Sequence, residues 1–158
     1  MRRLSFPALP AMLFAASLAS CRGVPARRGP PPAAPPLAKA VVRTARGYLP
    51  EEERGRSIPK DCSDFVGKVY RAHGLRLPRT SEKMALEGEE VPSSADLRMG
   101  DLLFFAGSTG GSAVSHVAIY VNNGIFIHQA QPGEGVRMES LYSDYYRKRY
   151  LKARRIIN

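Results

Sequence analysis

Cysteine is scarce in this chain. Cys21 and Cys62 are the only two among 158 residues, too few for a disulfide framework. Closely spaced ligand pairs of the HExxH or CxxC kind are missing as well. A zinc site drawn from Cys62, His116 and His128 therefore has little support, and the reading assigns no metal and no cofactor. Long apolar runs are absent: the one that ends at Ala19 is too short and too early for a spanning helix. No basic stripe interleaved with aromatic residues is visible, which argues against a nucleic-acid partner. Acidic residues are missing from the first fifty positions, and all 14 lie at or beyond Glu51.

What stands at the start is a basic pair, Arg2 and Arg3, then the apolar run, then small residues. This is the layout of a secretory signal, expected over residues 1–20. Leu18–Cys21 reads LASC and resembles a bacterial lipobox, in which the cysteine receives a diacylglycerol and becomes the first residue after cleavage. Cys21 is the expected lipidation site, and the lipid would anchor the chain to a membrane rather than span it. Residues 21–37, with RGVPARRGPPPAAPP after the cysteine, have no periodicity. Proline this dense favours an extended polyproline helix of about 3.1 Å per residue, a tether reaching on the order of 45 Å. Whether Cys21 is acylated or removed, Cys62 is left unpaired in an exported domain.

Residues 38–158 form one domain of ordinary size. The chain carries 24 basic residues. Setting aside the arginines at positions 2, 3, 22, 27 and 28 leaves 19 against 14 acidic residues, a net of +5. That suits a headgroup layer or an acidic polymer. Helical spacing is expected over Lys39–Leu49. A second helix opens at Asp61 as N-cap, buries Phe65, Val66, Val69 and Tyr70, and stops at Gly74. Thr80 and Ser81 cap a shorter helix, and Leu102–Phe105 reads as a buried strand. The segment SHVAIYVNNGIFIHQA is a hairpin about NNG. Pairing Ile119 with Ile127 through a three-residue loop keeps each face uniform and puts His116 and His128 on one face, diagonally adjacent. Further strands are expected near Val136–Met138 and over Tyr150–Ile157, with a helical turn between them. Helices first and strands later indicate an α+β fold with an antiparallel sheet.

A cysteine at a helix start and a histidine on a strand can together form a nucleophile. A free thiol has a pKa of about 8.5. A helix N-terminus is worth about 0.3–1 kcal/mol to an anion, less than one pKa unit, and Asp61 and Asp64 oppose it. A close imidazolium from His116 would be needed to make the thiolate, with His128 orienting His116. A lone helical cysteine is more often an inert buried hydrophobe, so residue types alone leave both readings open.

The ordered set DCSDFV, LPRTSEKM, MGDLLFF and SHVAIYVNNGIFIHQA resembles the NlpC-type cysteine peptidases of bacterial cell walls, over about Val41 to Ile156. The resemblance implies a papain-like fold, with N-terminal helices on an antiparallel sheet of five to six strands. It implies Cys62 as nucleophile, His116 as general base and acid, and His128 as orienting third member. It further implies that Tyr48, Asp61 and Ser63 bind the substrate, Asp61 through a free amine. The expected reaction is amide hydrolysis in peptidoglycan stem peptides, at the D-γ-glutamyl–diamino acid bond, by a monomer. The chain departs from the pattern in having DCSD where DCSG is usual, no Gly pair after Tyr48, and Met84 where Gln is common. These changes are expected at the substrate-facing rim. The alternatives are an amidase or acyltransferase using the same trio, or a non-catalytic lipoprotein that binds the cell wall.

Overall fold

The computed structural model describes residues 33–50, 57–131 and 134–158. The expected signal sequence, the lipidation site Cys21, most of the tether and the charged loop at 51–56 lie outside the described residues. The first helix, α1, spans Pro36–Arg46. It begins inside the stretch read as tether, because proline at the first helical position is already set to helical φ. Its buried stripe is Ala38, Val41, Val42 and Ala45.

Helix α2 covers Cys62–Arg71 and α3 covers Ser81–Met84, capped by Asp61 and Thr80 as the sequence indicates. Six strands follow: β1 (Glu89–Val91), β2 (Leu102–Ala106), β3 (Val114–Asn122), β4 (Ile125–Gln129), β5 (Val136–Ser140) and β6 (Tyr150–Arg155), with α4 (Asp144–Arg147) before the last. They make one sheet in the order β1-β6-β2-β3-β4-β5, and every pairing is antiparallel. This is the expected α+β architecture. No helix among the described residues is long and apolar enough to cross a membrane.

The sheet has two covered faces. Helices α1–α3 bury Leu102, Phe104, Val117, Ile119 and Ile127 on one side. On the other, Leu103, Phe105, Ala118, Tyr120 and Phe126 pack with Leu141 and Tyr146. Strand β2 is therefore buried at all five positions. The third histidine is structural: His73 Nε2 meets Thr44 Oγ1 at 2.8 Å, tying α2 to α1. Met84 is fully buried in the helix-side core. That corrects its expected place at the rim, since an unbranched thioether suits an irregular gap in the core.

The hairpin differs from expectation in one detail. Ile119 pairs with Ile127 and Tyr120 with Phe126, but Asn122 pairs with Ile125, so a bulge at Val121 takes up the odd residue. The loop is thus the two residues Asn123 and Gly124, both at positive φ, the backbone a two-residue hairpin turn needs. A Cβ on Gly124 would lie 2.3 Å from the Tyr142 ring.

One buried ion pair pins β6 to the turn before β2. Arg155 donates from Nε to Asp101 Oδ1 at 2.9 Å and from Nη2 to Oδ2 at 2.8 Å. Arg98 N–H donates to the same carboxylate at 2.7 Å. The side chains are only 14% and 2% exposed. Removing one member of such a pair leaves an uncompensated buried charge, at a cost of about 3–5 kcal/mol. Asp101→Ala is expected to lower unfolding free energy by about that much in urea titration. Arg155→Met/Asp101→Leu should be distinctly milder, and an equal loss in both would refute the ion-pair account.

Candidate active site

Asp61 has extended backbone, and its carboxylate caps α2 by accepting from Asp64 N–H at 2.8 Å. The cap puts Cys62 at the first helical position, with its thiol against strand β3. The main chain at Val117, Ser63 and Cys62 lies close to the sulfur and favours its charged form. Burial outweighs them and pushes the thiol pKa up, and the Asp61 charge pushes the same way. Cys62 is free and half-buried.

His116 lies near the start of β3, opposite Phe105 of β2, and its ring packs on Phe105. His128 is on β4 and is buried. The hairpin register brings them together: His116 Nε2 and His128 Nδ1 are 2.8 Å apart, with the rings edge-on. His128 Nε2 lies 3.3 Å from the Tyr146 hydroxyl. These contacts leave His116 Nδ1 as the ring nitrogen available to a thiol. A base must be unprotonated there, so Nε2 carries the proton and donates to His128 Nδ1. His128 then carries its own proton on Nε2 and donates to Tyr146. A single tautomer assignment satisfies the chain. Burial lowers His116 to about 4. His128 falls to about 3, from burial first and then the His116 and Arg137 charges. The resting groups are therefore a neutral thiol and neutral imidazoles. Periodicity in the sequence does not show how far these three side chains are desolvated.

Cys62, Asp61 and His116 line one cavity of about 240 Å³, together with Ser115, Gln129, Ala130 and Gln131. The sequence-derived trio is thus assembled in part by direct contact, His116 with His128, and in part by a shared cavity, Cys62 with His116. A second cleft shares Ser115, His116, Ala130 and Gln131 with that cavity. It is lined by His128, Tyr145, Tyr146 and Arg149, among others.

The residues expected to bind substrate divide. Asp61 lines the Cys62 cavity and keeps a side-chain exposure of 40%. Ser63 is 6% exposed, and its hydroxyl donates to Asp61 Oδ1 at 2.8 Å. It supports Asp61 from behind. Tyr48 packs edge-on against Phe65 and is not among the side chains lining the cavity. Asp64 accepts from Lys60 N–H at 2.8 Å and pairs with Lys68 at 3.1 Å.

Two residues in contact with the candidate site are not apparent from the sequence. Arg79 forks onto Asp61, Nη1 to Oδ1 at 3.0 Å and Nη2 to Oδ2 at 2.6 Å, and reaches Ser63 Oγ at 2.7 Å. Its hydrogen bonds are the largest influence holding the Asp61 carboxyl well below the usual carboxylate range. Tyr146 backs His128. Arg79 sits in the LPRTS segment, which signalled its importance without its partner; nothing local marked Tyr146. Among the described residues, no group of three or more His, Cys, Asp and Glu could hold a metal ion.

Comparison with known proteins identifies the family. The model of the NlpC/P60 family matches residues 51–155. The chain is 43% identical over 100 residues to the murein DD-endopeptidase MepS/murein LD-carboxypeptidase of Escherichia coli, covering 62% of this chain and 50% of that protein. It is 36% identical over 95 residues to the gamma-D-glutamyl-L-lysine dipeptidyl-peptidase of Bacillus subtilis, covering 60% and 32%. The chain thus spans half or less of the length of these curated relatives. The crystal structure of an NlpC/P60 family protein from Bacillus cereus superposes with a TM-score of 0.66 at 30% identity, covering 77% of this chain and 40% of that one. With the family model spanning the capped Cys62 helix and both histidine strands, the chain belongs to the NlpC/P60 family.

Proposed function

We propose that the protein is an exported, lipid-anchored cysteine endopeptidase that hydrolyses amide bonds in peptidoglycan stem peptides. One observation carries this most: His116 forms a wall of the Cys62 cavity while its other nitrogen is held at 2.8 Å by His128. An imidazole fixed on one side and open toward a thiol on the other is arranged for proton transfer.

The chemistry follows from the neutral resting state. The Cys62 thiol gives its proton to His116 Nδ1 as the sulfur attacks the scissile carbonyl carbon. Main-chain N–H groups at the α2 start receive the developing oxyanion. The C–N bond breaks as His116 returns the proton to the leaving amine. Water, deprotonated by His116, then hydrolyses the thioester and regenerates the thiol. His128 steadies the imidazolium of each transient state, and Tyr146 steadies His128.

For the bond cut, Asp61 is the guide. A part-exposed carboxylate beside Cys62 suits the free amine of a trimmed stem peptide, which supports a cut at the D-γ-glutamyl–diamino acid bond. The Bacillus subtilis relative bears a name of that kind. A DD bond is the second reading, favoured by the 43% identity to the Escherichia coli relative. The LASC sequence at Leu18–Cys21 supports lipid anchoring through Cys21 to a bacterial membrane.

Incubation of the purified protein with muropeptides, read by mass spectrometry, tests the reading. Cleavage at the D-γ-glutamyl bond is expected, with Cys62→Ala inactive and His128→Ala reduced about 10²–10⁴-fold. Products cut at a DD bond would replace the bond assignment. Cleavage that survives Cys62→Ala would end the cysteine mechanism.

Protonation gives a separate test. Free imidazole titrates near 6.5, whereas His116 and His128 in the fold titrate near 4 and 3. Below 6.5 the unfolded chain binds protons that the folded chain does not. Stability is therefore fully present above about 6.5 and lost as pH falls toward 4. Asp61, whose unfolded value is 3.8, contributes at lower pH. Between pH 7 and 5 we expect a loss on the order of 1–2 kcal/mol per histidine, and a shallower slope in His128→Asn. Identical slopes in wild type and variant would show that His128 is not a buried neutral group.

A further inference from the structure

The sheet has two edges, and they are built differently. At one, β1 is three residues long, and its two exposed side chains, Glu89 and Glu90, carry the same sign. A short edge with like charges repels a second strand. At the other, β5 is five residues long, and no described strand pairs with its outer side. Its register on β4 fixes which groups face outward. Leu141 N–H donates to Gly124 O at 2.7 Å, and Ala130 N–H to Gly135 O at 3.4 Å. Main-chain bonding in an antiparallel pair alternates along the strand, so Arg137 and Glu139 turn their main-chain groups to His128 and Phe126. The N–H and C=O groups of Val136 and Met138, and the N–H of Ser140, point away from the sheet and have no partner among the described residues.

The side chains add a pattern to this free edge. The strand reads Val-Arg-Met-Glu-Ser, with a cation and an anion on either side of Met138. Laid antiparallel to a second copy about Met138, it sets Met138 opposite Met138 through the outward main-chain groups, the hydrogen-bonded kind of pair. Arg137 of each copy then faces Glu139 of the other, in the closer, non-hydrogen-bonded kind of pair. Opposite charges directly across two strands favour pairing. The register that is symmetric about Met138 thus satisfies hydrogen bonding and charge together. Glu139 has no basic partner within ion-pair distance among the described residues. Arg137 meets Glu134 at 2.7 Å, but both side chains are more than 40% exposed. Such pairs contribute little, so Arg137 is free to exchange its partner. Met138 is among the large apolar side chains left exposed. It lies on the Ile127 face of the sheet, where it would be covered by its own copy.

We propose that β5 is a docking edge for a second copy of this chain, paired antiparallel about Met138 into one continuous sheet. The arrangement is isologous, each copy giving the same strand, and it replaces the monomer expected from the sequence. It does not depend on the peptidase reading.

The test uses the full-length protein carrying Cys21→Ser, which removes the expected lipid. Sedimentation between about 1 μM and 1 mM is expected to show a concentration-dependent doubling of mass. Arg137→Glu and Glu139→Arg should each weaken the dimer about tenfold or more, since like charges then face each other at both ends of the seam. The double variant Arg137→Glu/Glu139→Arg restores opposite charges and should recover the dimer, as should an equal mixture of the two single variants. With Cys62→Ala added, an introduced cysteine is the only thiol. Met138→Cys should then cross-link to itself on mild oxidation, because a Cα separation of about 5.5 Å suits a disulfide. Arg137→Cys, roughly 7–8 Å from its counterpart, should cross-link far less. A monomer at every concentration would overturn the proposal. So would a dimer that survives both charge reversals, or equal cross-linking through Arg137→Cys and Met138→Cys. Should Met138→Cys fail to fold, the charge variants decide, and no recovery in the double variant or the mixture would overturn it.

Discussion

The pairing of Ile119 with Ile127 is the constraint on which the site depends. Side chains along a strand alternate between faces, so that one register places Val117, Ile119 and Ile127 against the helices and His116 and His128 together on the other face. A slip by one residue would put the two imidazoles on opposite sides of the sheet. Burial of each large apolar side chain is worth about 1.5–3 kcal/mol, whereas the net gain from one neutral hydrogen bond is about 0.5–1.5 kcal/mol. The core therefore sets the register, and the histidine pair follows from it. The bulge at Val121 serves the same end: it lets a two-residue Asn-Gly turn join strands whose apolar pattern demands an odd count.

Burial governs the electrostatics as well. Cys62, His116 and His128 sit where burial disfavours charge, and in the proposed mechanism charge arises only as the reaction proceeds. Asp61 complicates this. As N-cap it is needed to start α2, but a bare carboxylate next to Cys62 opposes a thiolate. The fork from Arg79 resolves the conflict by neutralising Asp61 without removing the cap. Arg79 thus acts on Cys62 through its neighbour, although it is largely exposed.

Much of this was legible in the sequence wherever one short segment held all the information. The Asp61 cap, the apolar face of α2 and the hairpin faces each depend on local periodicity, and the structure reproduces them. What depended on distant partners was not. Strand β1 is three residues long, too short for alternation to show, and β6 (from Tyr150) enters between it and β2 (ending at Ala106) from far along the chain. Arg79 and Asp61 meet over 18 positions, and Tyr146 and His128 also over 18. The resemblance puts Met84 at the rim, because Gln is common at that place in the family, yet the short α3 turns it into the core. The degree of desolvation around Cys62, His116 and His128 was invisible for the same reason: it is a sum over many segments.

The groups around Cys62 are fixed in advance by their own neighbours. Asp61 is held by Arg79 and Ser63, and His116 by His128, which Tyr146 backs in turn. These partners stand on α2, the segment before α3, α4 and the central strands, so the sheet and its helices set their positions together. Under the proposed reaction little ordering remains to be done when a substrate binds, which leaves more of the binding energy for positioning the carbonyl over the sulfur.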